Sequence, residues 1–384
     1  MENNKWVSVW GNATSILTRQ VENYTKNITL RYPVKMMFSG SKLRFTFSNY
    51  CGNEPITITG ATVAPSDSDG VLEGGKIKNI TFNGSEQVTI KACTEIKSDA
   101  VEISVKPSEY ISVSIYLGDF TETRSAVLVT GPLSGGYYSL GDQTGATVLP
   151  VDKTKSTNWY YFINNIEVLT SENKKSLICY GDSITAQSWP DYLTLRCIEN
   201  GYNNTAVVRR AVCGTRVLRQ YECIQYDSYG LKGSNRFERE VSSISGGDAV
   251  IIQHGINDII HPVGEENNVF RPWSDLPTAS ELIDGIKKYI EIAKKLGLKV
   301  YGGTLLPIEG WRTYARFREE LRNQVNDWIR TTNDFDGCVD FDKALRSENR
   351  HSSFAQGYDS GDHLHPSESA YKKMAEIVPE ELLK

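Results

Sequence analysis

Residues 176–185 read Ser-Leu-Ile-Cys-Tyr-Gly-Asp-Ser-Ile-Thr. Leu177 to Tyr180 form an unbroken apolar run, as expected of a short strand buried on both faces. Gly181 permits a sharp turn, and Ser183 then stands where the strand gives way to a helix. A serine in that place offers two things. Its hydroxyl can attack a carbonyl, and its own N–H lies at a helix N-terminus, where the dipole favours negative charge. An ordinary turn serine or helix N-cap has the same local sequence, so the rest of the chain must separate the readings.

The same grammar recurs downstream. Apolar runs at 206–210, 249–253, 299–303 and 338–341 alternate with helical patterns. Thr278 and Glu281 have capping-box spacing ahead of Leu282, Ile283, Ile286, Ile290 and Ala293, and Gly297 closes that helix. Phe317, Leu321, Val325, Trp328 and Ile329 mark a further apolar helix stripe. Strands alternating with helices predict a parallel sheet covered on both faces, an α/β domain over 171–384.

Before that the period is two. Leu43, Phe45 and Phe47 alternate with Arg44, Thr46 and Ser48; Ile111, Val113, Ile115 and Leu117 alternate with Ser112, Ser114 and Tyr116. Turn clusters such as 49–53, 65–70 and 135–136 break these runs, which predicts an all-β sandwich, jelly-roll-like, over 1–170. Residues 153–175 read as its last strand and a short connector.

Composition narrows the function classes. The chain has 384 residues, 39% hydrophobic and 23% charged, which fits folded globular domains. With 42 basic against 47 acidic residues, a net charge of −5 and no Lys/Arg run, neither nucleic acid nor an anionic membrane is the expected partner. No apolar stretch reaches the roughly 18 residues a membrane span needs. The start shows no basic region followed by an apolar one, so the expected location is cytoplasmic, or secreted if a leader has been trimmed away. Seven scattered cysteines without a C-x-x-C read as buried free thiols. The oligomeric state leaves no mark in the sequence.

Three further blocks bear on Ser183. Ala211-Val-Cys-Gly-Thr215 follows one strand and ends near Gly214, whose backbone N–H is unshielded. Gly255-Ile-Asn-Asp258 follows another, and Asn257 there can aim its side-chain NH₂ at a developing negative charge. Near the C-terminus, Asp362-His-Leu-His365 puts a carboxylate three residues before an imidazole. At that spacing it can accept from Nδ1–H and leave the other ring nitrogen free to take a proton. In a parallel sheet such groups collect beyond the carboxyl ends of the strands.

These four blocks in this order resemble the SGNH (GDSL) hydrolase superfamily over 176–384. The resemblance implies a three-layer, flavodoxin-like fold with a mainly parallel sheet. It also implies Ser183 as nucleophile, His365 as general base, Asp362 as its orienter, and Ser183, Gly214 and Asn257 as oxyanion donors. Residues 304–310, 326–330, 339–342 and 358–366, together with the preceding β domain, look like two-domain carbohydrate acetyl esterases linked to xylan degradation. An acetylated oligosaccharide is then the expected partner, and no metal or organic cofactor is needed. One departure is Arg209-Arg210-Ala211-Val-Cys-Gly214, where family members often carry an Asn and a further Gly or Ser. Two other readings remain: a thioesterase or lysophospholipase acting on longer acyl chains, and a carbohydrate-binding protein with an inactive hydrolase half.

Other candidates are weaker. His254 falls in a buried-strand pattern and reads as a core or near-site residue, while His261 and His351 fall in polar loops where exposure is the default. His363 and His365 form H-x-H but lack a third metal ligand at suitable spacing, so no metal is expected. Gly70-x₄-Gly75-Lys76 imitates a phosphate loop but lacks the following Ser/Thr and a helix, and reads as a hairpin turn. Trp189 and Trp311 lie near the blocks and are candidate sugar platforms, as is Trp273, with core or rim packing as the competing reading.

Overall fold

The run at 176–180 forms a strand, Lys175–Gly181, second in a five-stranded sheet. In the computed structural model, which describes residues 4–17, 23–264 and 269–384, that sheet runs Thr205–Ala211, Lys175–Gly181, Gly247–Gln253, Lys299–Gly303, Gly337–Val339 from edge to edge. Pairing is parallel, with Ala249 opposite Lys299 and Gly302 opposite Cys338. The first strand in the chain lies between the second and the third. The winding direction therefore reverses beside it, which is where a crevice opens beyond the strands' carboxyl ends.

The helix expected after Thr278 spans Ala279–Lys295, with both halves of the capping box formed. It buries Leu282, Ile286, Tyr289, Ile290 and Ala293. The next helix, Arg316–Thr331, buries Leu321, Val325 and Ile329 but leaves Phe317 44% exposed. Arg318 and Arg322 are buried on it as well. Arg322 is tolerated there because its donors are met by Glu319 at 2.6 Å, Asp342 at 2.7 Å and Leu305 O at 2.8 Å. The apolar run at 338–341 splits: the strand stops at Val339, and Asp340 caps the helix Phe341–Leu345 by accepting from Lys343 N at 3.1 Å.

The N-terminal region is all antiparallel β. One sheet orders Asn4–Gly11, Ile163–Ser171 and Gly40–Ser48, with Glu95–Lys97 and Val101–Val105 both paired to the last of these. A second, larger sheet orders Thr154–Thr157, Gly136–Leu140, Ile28–Lys35, Tyr110–Leu117, Gly60–Ser66 and Lys78–Asn79, and three small sheets of two or three strands accompany them. Leu43, Phe45 and Phe47 are fully buried. On Tyr110–Leu117 the intervening Ser112 and Ser114 are buried too. Arg31 covers that polar face: its Nε donates to Ser114 Oγ at 2.9 Å, and its remaining donors reach the carbonyls of Gly70, Gln143 and Ala146. The segment that imitates a phosphate loop is thus a turn whose Gly70 carbonyl serves Arg31.

Two compact units emerge, and they interleave along the chain. One takes Met1–Ser176 with Asn200–Val208 and Ile244–Gly246; the other takes Leu177–Glu199, Arg209–Ser243 and Gly247–Lys384. Cys51, Cys179 and Cys197 are buried, Cys213, Cys223 and Cys338 are half-buried, and Cys93 is exposed. Among the described residues no helix is long and apolar enough to cross a membrane.

Candidate active site

Ser183, Gly214 and Asn257 follow three neighbouring strands of the sheet, and His365 sits on the loop before the helix Glu368–Glu376. The Ser183 Oγ lies 2.9 Å from His365 Nε2. On the other side of the ring, Nδ1 lies 2.6 Å from Asp362 Oδ2. The second carboxylate oxygen accepts from His365 N at 2.8 Å and Leu364 N at 2.9 Å, so Asp362 grips both the ring and the backbone that carries it. Partial burial works to raise that carboxyl. The bonds from the His365 ring and from the two backbone N–H groups outweigh burial and hold it well below the usual carboxylate range.

Gly181 is needed here for close approach and not for an unusual φ. A Cβ would lie 2.4 Å from Gln253 O, at the end of the neighbouring strand. The helix that Ser183 begins is one turn long, Ser183–Ala186, so its N-terminus has single N–H donors to offer and little macrodipole. Gly214 has φ +76, and a Cβ on it would lie 2.1 Å from the Tyr229 ring. Asn257 is buried and donates from Nδ2 to Thr215 O at 3.0 Å, which leaves its second amide hydrogen for another acceptor. Asp258 receives Val217 N at 2.8 Å and Leu218 N at 3.0 Å, tying the loop after Gly214 to the turn that holds Asn257.

Asp182 is almost fully buried and caps the Ser183 helix, accepting from Ile184 N at 3.1 Å. Burial pushes its carboxyl up to about 7, against the pull of that N–H and of His365 and Arg236. From the ordinary 3.8 up to about 7, the folded chain keeps a proton that the unfolded chain has lost. Stability from this group is therefore complete below pH 3.8 and is lost as pH rises to about 7. Asp182→Asn keeps a capping oxygen and carries no charge. It is expected to raise unfolding free energy at pH 8 by an amount of order 1–4 kcal/mol, with the gain shrinking towards pH 4. Urea titrations at the two pH values measure this, and an equal gain at both counts against the buried-charge account.

Several sequence expectations are corrected. Trp189 is not a surface platform: it is fully buried, packed 5.4 Å from Phe341, with Nε1 donating to Thr185 Oγ1 at 3.4 Å. It opens the helix Trp189–Glu199, where Pro190, Leu193 and Cys197 are buried with it. Trp273 is 45% exposed and sits edge-on to Phe317. Trp311 is half-buried with the Arg312 guanidinium 4.6 Å above its ring. Its neighbour Gly310 abuts the ring of His363, where a Cβ would come within 2.6 Å. His261 is buried and not exposed: it stacks on Tyr229 at 5.3 Å and its Nδ1 meets the Tyr221 hydroxyl. Arg209 and Arg210 turn into the scaffold, to Asp191 at 2.7 Å and Glu240 O at 3.2 Å respectively. Among the described residues no group of three His, Cys, Asp or Glu side chains could hold a metal ion. No sequence pattern marks Tyr229, which lies in a short 3₁₀ segment, 224–229, outside any periodic run.

The model of the GDSL-like Lipase/Acylhydrolase family matches residues 179–373, just over half of the chain. The chain belongs to that family. As a GDSL acylhydrolase it is a hydrolase acting on esters. The family match takes in Ser183, Gly214, Asn257, Asp362 and His365. Solved structures similar to this acylhydrolase include a GDSL-like lipase from Bacteroides thetaiotaomicron, at 19% identity over 54% of this chain and 87% of the other, TM-score 0.40. An acetylxylan esterase from Geobacillus stearothermophilus is 18% identical over 53% and 91%, TM-score 0.39. A lipase/acylhydrolase from Enterococcus faecalis is 18% identical over 53% and 92%, TM-score 0.38. No curated protein matches the chain.

Proposed function

We propose that this acylhydrolase is a serine esterase removing acetyl groups from carbohydrates, the xylan- or mannan-derived oligosaccharides, through an acyl-enzyme. The observation that carries the proposal is the unbroken run from Ser183 Oγ to His365 Nε2 at 2.9 Å and from Nδ1 to Asp362 at 2.6 Å. His365 takes the serine proton as Oγ attacks the ester carbonyl, then returns it to the leaving sugar hydroxyl. Water, deprotonated by the same imidazole, releases acetate and restores Ser183. The tetrahedral oxyanion is received by the N–H groups of Ser183 and Gly214 and by Asn257 Nδ2. The mechanism asks for no metal and no organic cofactor.

Two features support the substrate class. The Tyr229 ring lies against Gly214, so the neighbourhood of the oxyanion is walled by a bulky aromatic, which suits a short acyl group. The sequence resemblance to two-domain carbohydrate acetyl esterases points the same way, with Trp311 and Trp273 as the candidates for sugar contact that burial leaves open. A series of p-nitrophenyl acetate, butyrate and octanoate, run beside acetate release from acetylated xylan, glucomannan and their oligomers, tests this. We expect kcat/KM to fall by at least tenfold from acetyl to octanoyl, and acetate to be released from at least one polysaccharide. A preference for octanoyl would instead indicate a lipase or thioesterase.

A further inference from the structure

Thr215 O accepts two hydrogen bonds inside the protein. One comes from Asn257 Nδ2 at 3.0 Å, the other from His254 Nε2 at 3.1 Å. Chemistry fixes the tautomer of His254. A carbonyl only accepts, so Nε2 carries the hydrogen, and Nδ1 then accepts from the Tyr289 hydroxyl at 3.3 Å. His254 and Tyr289 are each about 1% exposed. Burial, together with the Arg236 charge, pushes the His254 imidazole down to about 3, so it stays neutral with one donor and one acceptor at working pH.

The surroundings are shaped around this pair. Gly233 begins the helix Gly233–Ser242, and a Cβ there would lie 1.9 Å from Tyr289 Oη and 2.7 Å from His254 Cε1. Tyr180, three residues before Ser183, meets the His254 ring edge-on at 5.7 Å and reaches Gly233 O at 3.3 Å. The chain Tyr289–His254–Thr215 therefore runs behind the proposed oxyanion donors and touches no reacting atom.

We infer that His254 is a positioning residue for catalysis: by holding Thr215 O, it fixes the carboxamide of Asn257 so that one amide hydrogen is committed to Thr215 and the other faces the developing oxyanion. The inference rests on the esterase reading and extends it. Without the His254 bond, the Thr215 carbonyl loses one of its two donors and Asn257 loses a rigid anchor. Misplacing a catalytic group by about 1 Å can cost on the order of 100-fold. A carboxamide set askew weakens transition-state binding more than ground-state binding, so the effect belongs in kcat.

The test uses the full chain and p-nitrophenyl acetate. A glutamine side chain reaches the position of Nε2; an asparagine carries the same amide but falls short of it. His254→Asn is expected to lower kcat by about 10- to 100-fold with KM within about threefold, whereas His254→Gln recovers most of the loss. In the Asn257→Ala background, His254→Asn should lower kcat by less than about twofold, because the group it positions has gone. Equal activity of the Asn and Gln variants, or a full additional loss in the Asn257→Ala background, overturns the inference. Circular dichroism and thermal melts accompany each variant. If the Asn variant does not fold, Tyr289→Phe, which removes the hydroxyl that faces His254 Nδ1, replaces it in the double-mutant cycle, and additivity there overturns the inference equally. Failure of the esterase reading looks different: the unaltered chain would then lack turnover that depends on Ser183.

Discussion

Ser183→Ala and His365→Ala should each lower kcat for an acetyl ester by about 10⁴–10⁶-fold, and the double variant should lose no more than either alone. The reason lies in the 2.9 Å contact between Ser183 Oγ and His365 Nε2. Without the imidazole, the hydroxyl must attack with its proton in place. Without the hydroxyl, the imidazole has no nucleophile to activate. Each group is useless once the other is gone, so their free-energy losses do not add. KM should change by only a few-fold, since neither group is called on to bind the unreacted ester. Asp362→Ala should be milder by about tenfold or more. The Asp362 side chain is 42% exposed, so water can take over part of its contact with the imidazole. Steady-state kinetics, with a fluorophosphonate label mapped to the Ser183 peptide, check all four proteins. Multiplied losses in the double variant, or a Ser183→Ala protein with appreciable turnover, would remove the acyl-enzyme mechanism.

The parts of this site that the sequence announces are the parts made by local chain geometry. An apolar run followed by Gly181-Asp182-Ser183 contains its own strand, turn and helix start, and the strand spans Lys175–Gly181 as that pattern requires. The spacing of Asp362 and His365 likewise implies a contact within one turn of chain, and the structure puts it at 2.6 Å. What the sequence conceals is set by neighbours distant along the chain. Trp189 looks like a loop aromatic until the helix it opens is seen packed on Phe341. His261 looks like a loop histidine, yet Tyr221 tilts and Tyr229 stacks against its ring. Arg318 and Arg322 break the apolar periodicity of their helix, and their burial is made tolerable by the carbonyls of Ile259 and Pro262 for Arg318 and, for Arg322, by Asp342 from another element together with Glu319 on the same helix. The interleaving of 200–208 and 244–246 with the first unit is hidden for a similar reason, because a hydrophobicity pattern reports burial and not the partner that provides it.

Asn257→Ala should lower kcat by about 10²–10³-fold, equivalent to about 2.7–4 kcal/mol of transition-state stabilisation, and leave KM within a few-fold. The ground-state carbonyl oxygen is nearly neutral and needs little from Asn257. The tetrahedral oxygen carries a full charge and needs a donor that is already in place. Asn257 meets that condition because it is buried and one of its amide hydrogens is spent on Thr215 O at 3.0 Å, so the other has a fixed direction. Asn257→Asp should fare no better than alanine. It keeps the shape but replaces the donor with an acceptor, and its charge would oppose the oxyanion. The same variants separate transition-state effects from binding effects. A boronic acid that forms a tetrahedral adduct on Ser183 should lose affinity for Asn257→Ala by a factor near the loss in kcat, while a non-hydrolysable amide analogue of the substrate should lose almost none. Equal losses for the two ligands would mean that Asn257 holds the substrate and not the oxyanion, and the donor assignment would have to move to Ser183 and Gly214 alone.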